Sequence, residues 1–224
     1  MTIQPLSIRL KKVAELVPEG AVLADIGCDH AYLAMNLIQS GKILRAICSD
    51  INDGPLESAK EHIFAAHLEE KISLRLANGL EGFQPGQADT VVICGMGGML
   101  ISDILKAADP EFLAGLSASI VQPQTEPDLV RRTLHELGFK IEQEAFAMER
   151  GKNYIIIKAV RGKERYEDAF SYKYGRLLTD SKDPEYTRWL KERAEKIHSW
   201  ALEVQDPQKK EQLLEEARWI EHVI

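Results

Sequence analysis

The chain has 224 residues, of which 45% are hydrophobic, and its formal net charge at pH 7 is −7. This composition is typical of a globular protein with a sizeable core. The sequence contains no run of about 18 apolar residues, so no transmembrane helix is predicted. The segment MTIQPLSIRLKK lacks the basic-then-apolar order of a signal peptide, so we expect an unprocessed cytoplasmic protein that contacts no membrane.

Charge is distributed unevenly along the chain, which bears on whether the protein binds RNA. Residues 151–224 have a net charge of +1, which leaves −8 on residues 1–150. A local basic patch matters more than the total charge for binding a polyanion, so an RNA partner stays open.

Cys28, Cys48 and Cys94 form no CxxC pair, which predicts reduced thiols and no metal site.

Apolar spacing and turn residues predict that helices and strands alternate from the first helix, PLSIRLKKVAELVPEG, onward. Five strands are predicted in AVLADI, RAICSDI, KISLRLAN, DTVVICGMGG and SASIVQPQ. The helices between and after them are AYLAMNLIQSG, GPLESAKEHIFAAHL, MLISDILKAA and PDLVRRTLHELG, the last with a capping box of Thr125 and Asp128. Two further strands, KIEQEAFAME and KNYIIIKAV, complete an α/β fold: a Rossmann-like, doubly wound, mostly parallel sheet with an antiparallel hairpin at one edge.

The C-terminal part has a different pattern. Asp183-Pro184 and Asp206-Pro207 each place an N-cap aspartate before a first-turn proline, which predicts two helix starts. Apolar residues then recur at steps of three and four, as in a coiled coil. We therefore predict an antiparallel helical, coiled-coil-like extension over residues 163–224 and a ligand-binding domain over residues 1–162. The helix pair either packs on itself, covering an edge or forming a dimer, or clamps a nucleic acid.

Polar or glycine residues follow four of the predicted strands, and open α/β sheets bind ligands at these carboxyl ends. A glycine lets the backbone approach a ligand, an acid can meet ribose hydroxyls, and an asparagine can pair with an adenine amine. Their joint occurrence predicts a nucleoside-type ligand. The four groups are Asp25-Ile26-Gly27, Asp50, Asn78-Gly79 and Gly95-Met96-Gly97-Gly98.

The first of these loops favours S-adenosylmethionine over NAD. The stretch GCDHAY departs from G-x-G-x-x-G after its first glycine. Asp29 also puts a carboxylate where a pyrophosphate would need backbone N–H groups. An acidic loop suits a ligand that has an amino group and a sulfonium and lacks phosphate, which describes S-adenosylmethionine.

The motifs LSIRL, LADIGCDHAYLA, SDINDGPL, RLANGLEGF, VVICGMGGMLISDIL and VQPQ resemble those of the bacterial tRNA (adenine-22-N1)-methyltransferases. Members of this family are class I enzymes that use S-adenosylmethionine and carry a C-terminal coiled-coil domain. The resemblance covers roughly residues 6–160. It implies methylation of N1 of an adenine in the D-arm region of tRNA by a monomer or weak dimer that needs no metal.

The resemblance also assigns roles to individual residues. It implies that the adenine meets Asn78, where the family usually has Asp, so we expect weaker or slightly altered cofactor binding. It also implies that the glycine turn, Gly95-Met96-Gly97-Gly98, lies beside the methyl group and the target base. It also carries Asp29 to the first cofactor loop. The predicted cofactor-binding residues are Asp25, Gly27, Cys28 and His30 in that loop, Asp50 and Ile51 at the ribose, Asn78 and Gly79 at the adenine, and Gly95 at the methyl group.

The chemistry needs little beyond positioning and charge. N1 of adenine has an in-plane lone pair and needs no deprotonation, while the product is positively charged. Asp29 is the predicted catalytic carboxylate, with Gly95 and Met96 beside it, and would stabilise that charge. The alternatives are that Asp29 caps the next helix or binds the cofactor's amino group. A covalent mechanism through Cys94 would need an activating base, and none is evident.

Basic side chains along the chain are the candidates for tRNA phosphates. Arg9, Arg131, Arg132, Lys173 and Arg176 are predicted to contact RNA, and the LSIRL motif would put Arg9 near the cofactor face. Two other functions stay open. One is a methyltransferase that acts on another RNA, a protein or a small molecule, and the other is a non-catalytic RNA-binding scaffold.

Overall fold

Helices and strands alternate as predicted in the computed structural model, which describes residues 4–224. The strands are β1 (Ala21–Ile26), β2 (Ile43–Asp50), β3 (Ile72–Leu76), β4 (Thr90–Met96), β5 (Ala118–Pro123), β6 (Phe139–Glu149) and β7 (Lys152–Arg161). The helices of this part are α1 (Ile8–Leu16), α2 (Tyr32–Gln39), α3 (Asp53–Ala65), α4 (Gly98–Ala107), α5 (Pro110–Ala114) and α6 (Pro127–Glu136).

The strands form one sheet in the order β3-β2-β1-β4-β5-β7-β6. Strands β1 to β5 pair in parallel, whereas β7 pairs antiparallel with both β5 and β6. The predicted Rossmann-like sheet with an antiparallel edge hairpin is thus confirmed. Because β1 lies between β2 and β4, the strand order reverses there, and such a switch point is where open α/β sheets bind ligands.

One apolar core holds α1, α2 and α3 against the sheet. It includes Val13 of α1, Leu33 of α2 and Ile63 of α3, together with Val92 and Ile156 of the strands. Each such side chain contributes about 1.5–3 kcal/mol when it is fully buried. Helix α4 packs against β4, β5 and α6. This packing holds the carboxyl ends of the strands, and the loops that follow them, in fixed positions.

Two local features differ from the sequence prediction. The capping box at α6 is wrong: Glu126 occupies the N-cap with φ 52° and no side-chain cap, and Thr125 instead accepts from the N–H of Gly98. Helix α5 was not predicted, although Asp109 and Pro110 begin it in the manner of the two tail helices.

The chain divides into two compact units, Met1–Arg165 and Tyr166–Ile224. The second contains a π-helical turn (Ser171–Gly175), α7 (Arg176–Ser181), α8 (Pro184–Glu203) and α9 (Pro207–Val223). Asp183 and Asp206 cap α8 and α9 as predicted. Helices α8 and α9 pack against each other, and the coiled-coil character of the pair stays a prediction. Among residues 4–224, no helix is long and apolar enough to cross a membrane.

Candidate active site

A cleft of about 530 Å³ lies at the switch point, where the loops that follow β1, β2, β3 and β4 meet. The parallel pairing of these strands brings together residues that are far apart in the sequence. The predicted cofactor and catalytic residues all line this cleft, and their individual roles stay predictions. They are Asp25, Gly27, Cys28, Asp29, His30, Asp50, Ile51, Asn78, Gly79, Gly95 and Met96.

The turn after β1 forms the floor of the cleft. The N–H groups of Gly27 and Cys28 donate to the carbonyl of Ser49 at 2.8 and 3.1 Å, which ties this turn to the end of β2. Gly27 has φ 68°, and a Cβ added there would lie 2.2 Å from Cε of Met96. Glycine thus meets two requirements: a left-handed backbone and space beside the methionine.

Asp25 is a buried carboxylate at the base of the cleft, with 5% of its surface exposed. Burial raises the pKa of Asp25 to about 7. Its Oδ2 atom has no hydrogen-bond partner among the described residues. An unsatisfied buried carboxylate oxygen that faces a cleft is suited to accept from a donor group of a ligand, because leaving it unpaired costs about 1–3 kcal/mol.

The Cys94 thiol lies in the same cleft and is not activated. Burial, with a smaller contribution from the Asp25 charge, raises the pKa of Cys94 far above its usual range. A protonated thiol is a poor nucleophile, so the geometry gives no support to covalent catalysis. Among residues 4–224, no group of three or more His, Cys, Asp or Glu side chains is placed to hold a metal ion.

The loop that leads into α2 contains two left-handed residues that are not glycine. Asp29 has φ 53° and Ala31 has φ 59°. Helix α2 begins at Tyr32 with Ala31 as its N-cap and no side-chain cap, so the interpretation of Asp29 as a helix cap is wrong. The Asp29 side chain is 75% exposed and lies 3.5 Å from Nε2 of His30. Its carboxylate is therefore accessible to a substrate as large as an RNA.

Two aromatic side chains, His30 and Tyr32, line the cleft, and both rings contact His62, which does not line it. Tyr32 stacks on His62 with ring centres 5.1 Å apart, and His30 lies 5.5 Å from Tyr32 and 5.7 Å from His62. Tyr32 is half-buried and lines the cleft. Stacked rings at a nucleoside site offer a flat apolar surface to a base or to the cofactor.

Arg9 reaches the cleft from α1. Its Nη1 donates to Oε1 of the fully buried Gln122 at 2.7 Å, and its guanidinium lies 5.6 Å from the centre of the Tyr154 ring. Arg9 is the only Lys or Arg among the described residues that line the cleft. The cleft therefore combines three carboxylates, Asp25, Asp29 and Asp50, with a single guanidinium.

Residues 6–157 match a protein family described as a methyltransferase domain. The Bacillus subtilis tRNA (adenine(22)-N(1))-methyltransferase is 39% identical to the chain over 174 residues, which cover 77% of this chain and 73% of that protein. This chain belongs to the same methyltransferase family.

Two solved structures resemble this methyltransferase along nearly its whole length. A Streptococcus pneumoniae protein described as a candidate tRNA (m1A22) methyltransferase, in complex with S-adenosyl-L-methionine, has a TM-score of 0.87 and 34% identity, and the match covers 98% of this chain and 99% of that one. TrmK of M. capricolum, in complex with the cofactor product S-adenosyl-homocysteine, has a TM-score of 0.83 and 26% identity, with 97% of each chain covered.

The basic residues that were predicted to contact RNA differ in their exposure in the methyltransferase. Arg131 is fully buried, and its Nη2 lies 2.7 Å from Oε1 of the equally buried Glu144, so its assignment to RNA is wrong. Arg132 is exposed on α6. In the second unit, Lys173 is half-exposed and pairs with Glu216 at 2.7 Å, and Arg176 is exposed.

Sequence analysis missed several residues that line the cleft. Gln124 is one of them and follows β5 in the motif VQPQ. The rule that located the other strand ends applies equally to this one and could have found it. The others are apolar or local to the loops and carry no comparable signal: Leu10, Asn52, Pro55, Ala77, Leu100 and Ile104.

Proposed function

We propose that this protein transfers a methyl group from S-adenosylmethionine to N1 of the adenine at position 22 of tRNA. One observation carries the proposal: the polar and glycine residues of four strand ends meet in a single cleft at the switch point of the sheet. Membership in a family that includes a tRNA (adenine(22)-N(1))-methyltransferase supports the choice of substrate and of reacting atom.

The residues of the cleft fit S-adenosylmethionine. Three carboxylates and one guanidinium complement a ligand that carries a sulfonium, an ammonium and a single carboxylate. The unpaired oxygen of Asp25 suits the methionine end, where Arg9 would meet the carboxylate. Asp50 and Asn78 would hold the ribose and the adenine. When bound, this cofactor supplies an electrophilic methyl group.

The protein's part in the reaction is to orient the base and to stabilise charge. Because N1 of adenine attacks through a lone pair, no residue has to remove a proton first. Positive charge then spreads onto the exocyclic amine of the base. The carboxylate of Asp29 accepts a hydrogen bond from that amine in this proposal, and its negative charge stabilises the charge as it develops. Tyr32 and Met96 flank the base and limit its motion.

Phosphate contacts outside the cleft would hold the folded RNA. Arg132 on α6 is a candidate, as are Lys173 and Arg176 in the helical extension, which we propose begins at about residue 163. Contacts of this kind release counterions, so the affinity for tRNA should fall steeply between about 50 and 200 mM salt. An affinity that does not change with salt would contradict this part of the proposal.

The test is transfer of labelled methyl from S-adenosylmethionine to two unmodified tRNA transcripts. One carries adenosine at position 22 and the other carries a different nucleoside there, and the products are digested to identify the modified nucleoside. The proposal predicts 1-methyladenosine from the first transcript alone. Equal labelling of both transcripts would mean another site, and no labelling with intact cofactor binding would mean another substrate, such as a different RNA or a small molecule.

A further inference from the structure

Gln124 lies in the cleft at the end of β5 and has no role in the mechanism above. Its backbone N–H donates to the carbonyl of Met96 at 2.8 Å. Its side chain is exposed, and Nε2 would lie 3.8 Å from a Cβ added to Gly95. The carboxamide is therefore next to the glycine turn that we assign to the methyl group and the target base.

The backbone that carries Gln124 is fixed to that turn. The N–H of Gly98 donates to the carbonyl of Thr125 at 3.0 Å, and Thr125 Oγ1 lies 3.4 Å from the same nitrogen. A Cβ on Gly98 would lie 2.5 Å from the Thr125 carbonyl, so the two loops approach as closely as glycine allows. A side chain on such a support can present hydrogen-bonding groups in a defined direction.

We propose that Gln124 selects adenine by pairing with the edge of the base that carries N6 and N7. Its Oε1 accepts from the N6 amine and its Nε2 donates to N7, which is the common bidentate geometry between glutamine and adenine. N1 stays open to the methyl group. The amine has two hydrogens, so Gln124 and Asp29 can both accept from it. Guanine offers two acceptors on this edge and cannot satisfy Oε1.

This inference rests on the proposed function and names the residue that reads the substrate. It is tested with tRNA transcripts that carry adenosine or 7-deazaadenosine at position 22. The deaza base keeps N1 and the amine, so the chemistry is retained, but C–H replaces the N7 acceptor. The enzymes compared are the wild type, Gln124→Ala, Gln124→Glu and a matched control, Gln84→Ala, which changes an exposed glutamine outside the residues lining the cleft.

The wild type should lose about fivefold in kcat/KM with the deaza base, the effect of one hydrogen bond. Gln124→Ala should lose about ten- to hundredfold with adenosine and show no further loss with the deaza base. Gln124→Glu should prefer the deaza base, because its carboxylate repels the N7 lone pair. Gln84→Ala should match the wild type, and calorimetry should give the same affinity for S-adenosylmethionine in all four proteins.

Each other outcome overturns the inference. An equal loss with the deaza base in the wild type and in Gln124→Ala would mean that Gln124 does not contact N7. A loss of cofactor affinity that parallels the loss of activity would make Gln124 a structural or cofactor residue. If the wild type and Gln124→Ala methylate the adenosine transcript equally well, only this inference is overturned. If the wild type methylates neither transcript, the proposed function is overturned as well.

Discussion

Replacing Asp29 by glycine should change the free energy of unfolding little and lower the rate of methyl transfer strongly. The backbone of Asp29 has φ 53°, and a left-handed conformation costs up to about 1–2 kcal/mol for a residue other than glycine, with less cost for aspartate and asparagine, which tolerate it. Relief of that cost is largely offset by the greater entropy of glycine in the unfolded chain, about 0.5–1 kcal/mol. The exposed contact with His30 at 3.5 Å contributes at most about 1 kcal/mol. The free energy of unfolding should therefore change by no more than about 1 kcal/mol.

The effect on methyl transfer should be far larger. Removal of one preorganised group that stabilises developing charge typically lowers kcat by about 10²–10³-fold. We expect this loss in Asp29→Gly and equally in Asp29→Asn, because asparagine tolerates the left-handed backbone but carries no charge. The measurements are single-turnover transfer to the position-22 transcript, calorimetric binding of S-adenosylmethionine, and thermal unfolding. Cofactor affinity should change little, because the substrate base and not the cofactor is the expected partner of Asp29.

His67→Gly is the matched control. His67 also has a left-handed backbone, with φ 56°, and it is exposed and does not line the cleft. Its replacement should leave transfer intact. If cofactor affinity and rate fall together in the Asp29 variants, Asp29 is a cofactor ligand. If Asp29→Asn transfers methyl at the wild-type rate, the carboxylate has no part in the chemistry.

Three further changes test the structure. Gly27→Ala and Gly41→Ala should both lose about 1 kcal/mol of stability from their left-handed backbones, but only Gly27→Ala should lose cofactor affinity in calorimetry, because only its Cβ meets a neighbour. The folded protein raises the pKa of Asp25 from 3.8 to about 7, so the folded state favours the protonated form. The free energy of unfolding should therefore fall by on the order of 4 kcal/mol as pH rises from about 4 to 7. Denaturant titrations at each pH measure it, and Asp25→Asn should abolish this pH dependence. Arg131→Met should lose about 3–5 kcal/mol by removing the guanidinium that pairs with the buried Glu144, and adding Glu144→Met should restore most of that loss; a simple sum of two losses would contradict the pairing.

The strands and the residues at their carboxyl ends could be predicted because short stretches of sequence determine both. Polar residues or glycines lie at or just after the carboxyl ends of β1, β2, β3 and β4, and parallel pairing of β1 with β2 and β4 carries those ends to one edge. Asp25, Asp50 and Asn78 could thus be assigned to one site before any contact was known. The same logic extends to Gln124 after β5.

The errors have a different origin, since each depends on a contact between residues that are distant in sequence. Thr125 does not cap α6, and its acceptors instead receive the N–H of Gly98, the first residue of α4. Arg131 is buried because Glu144 on β6 neutralises it within the core. A composition-based rule treats arginine as a surface residue, and it fails wherever a buried carboxylate lies opposite.

The conformation of the first loop bears directly on the role of Asp29. A sequence with glycine at the positions of Asp29 and Ala31 would adopt the same left-handed backbone without strain. The chain instead retains an aspartate there, where its side chain neither caps α2 nor is buried. Backbone strain of this kind persists where the side chain or its surroundings compensate for it, and it is often found at functional sites. Neither burial nor helix capping compensates for it at Asp29, and this supports our proposal that the exposed carboxylate binds the substrate base.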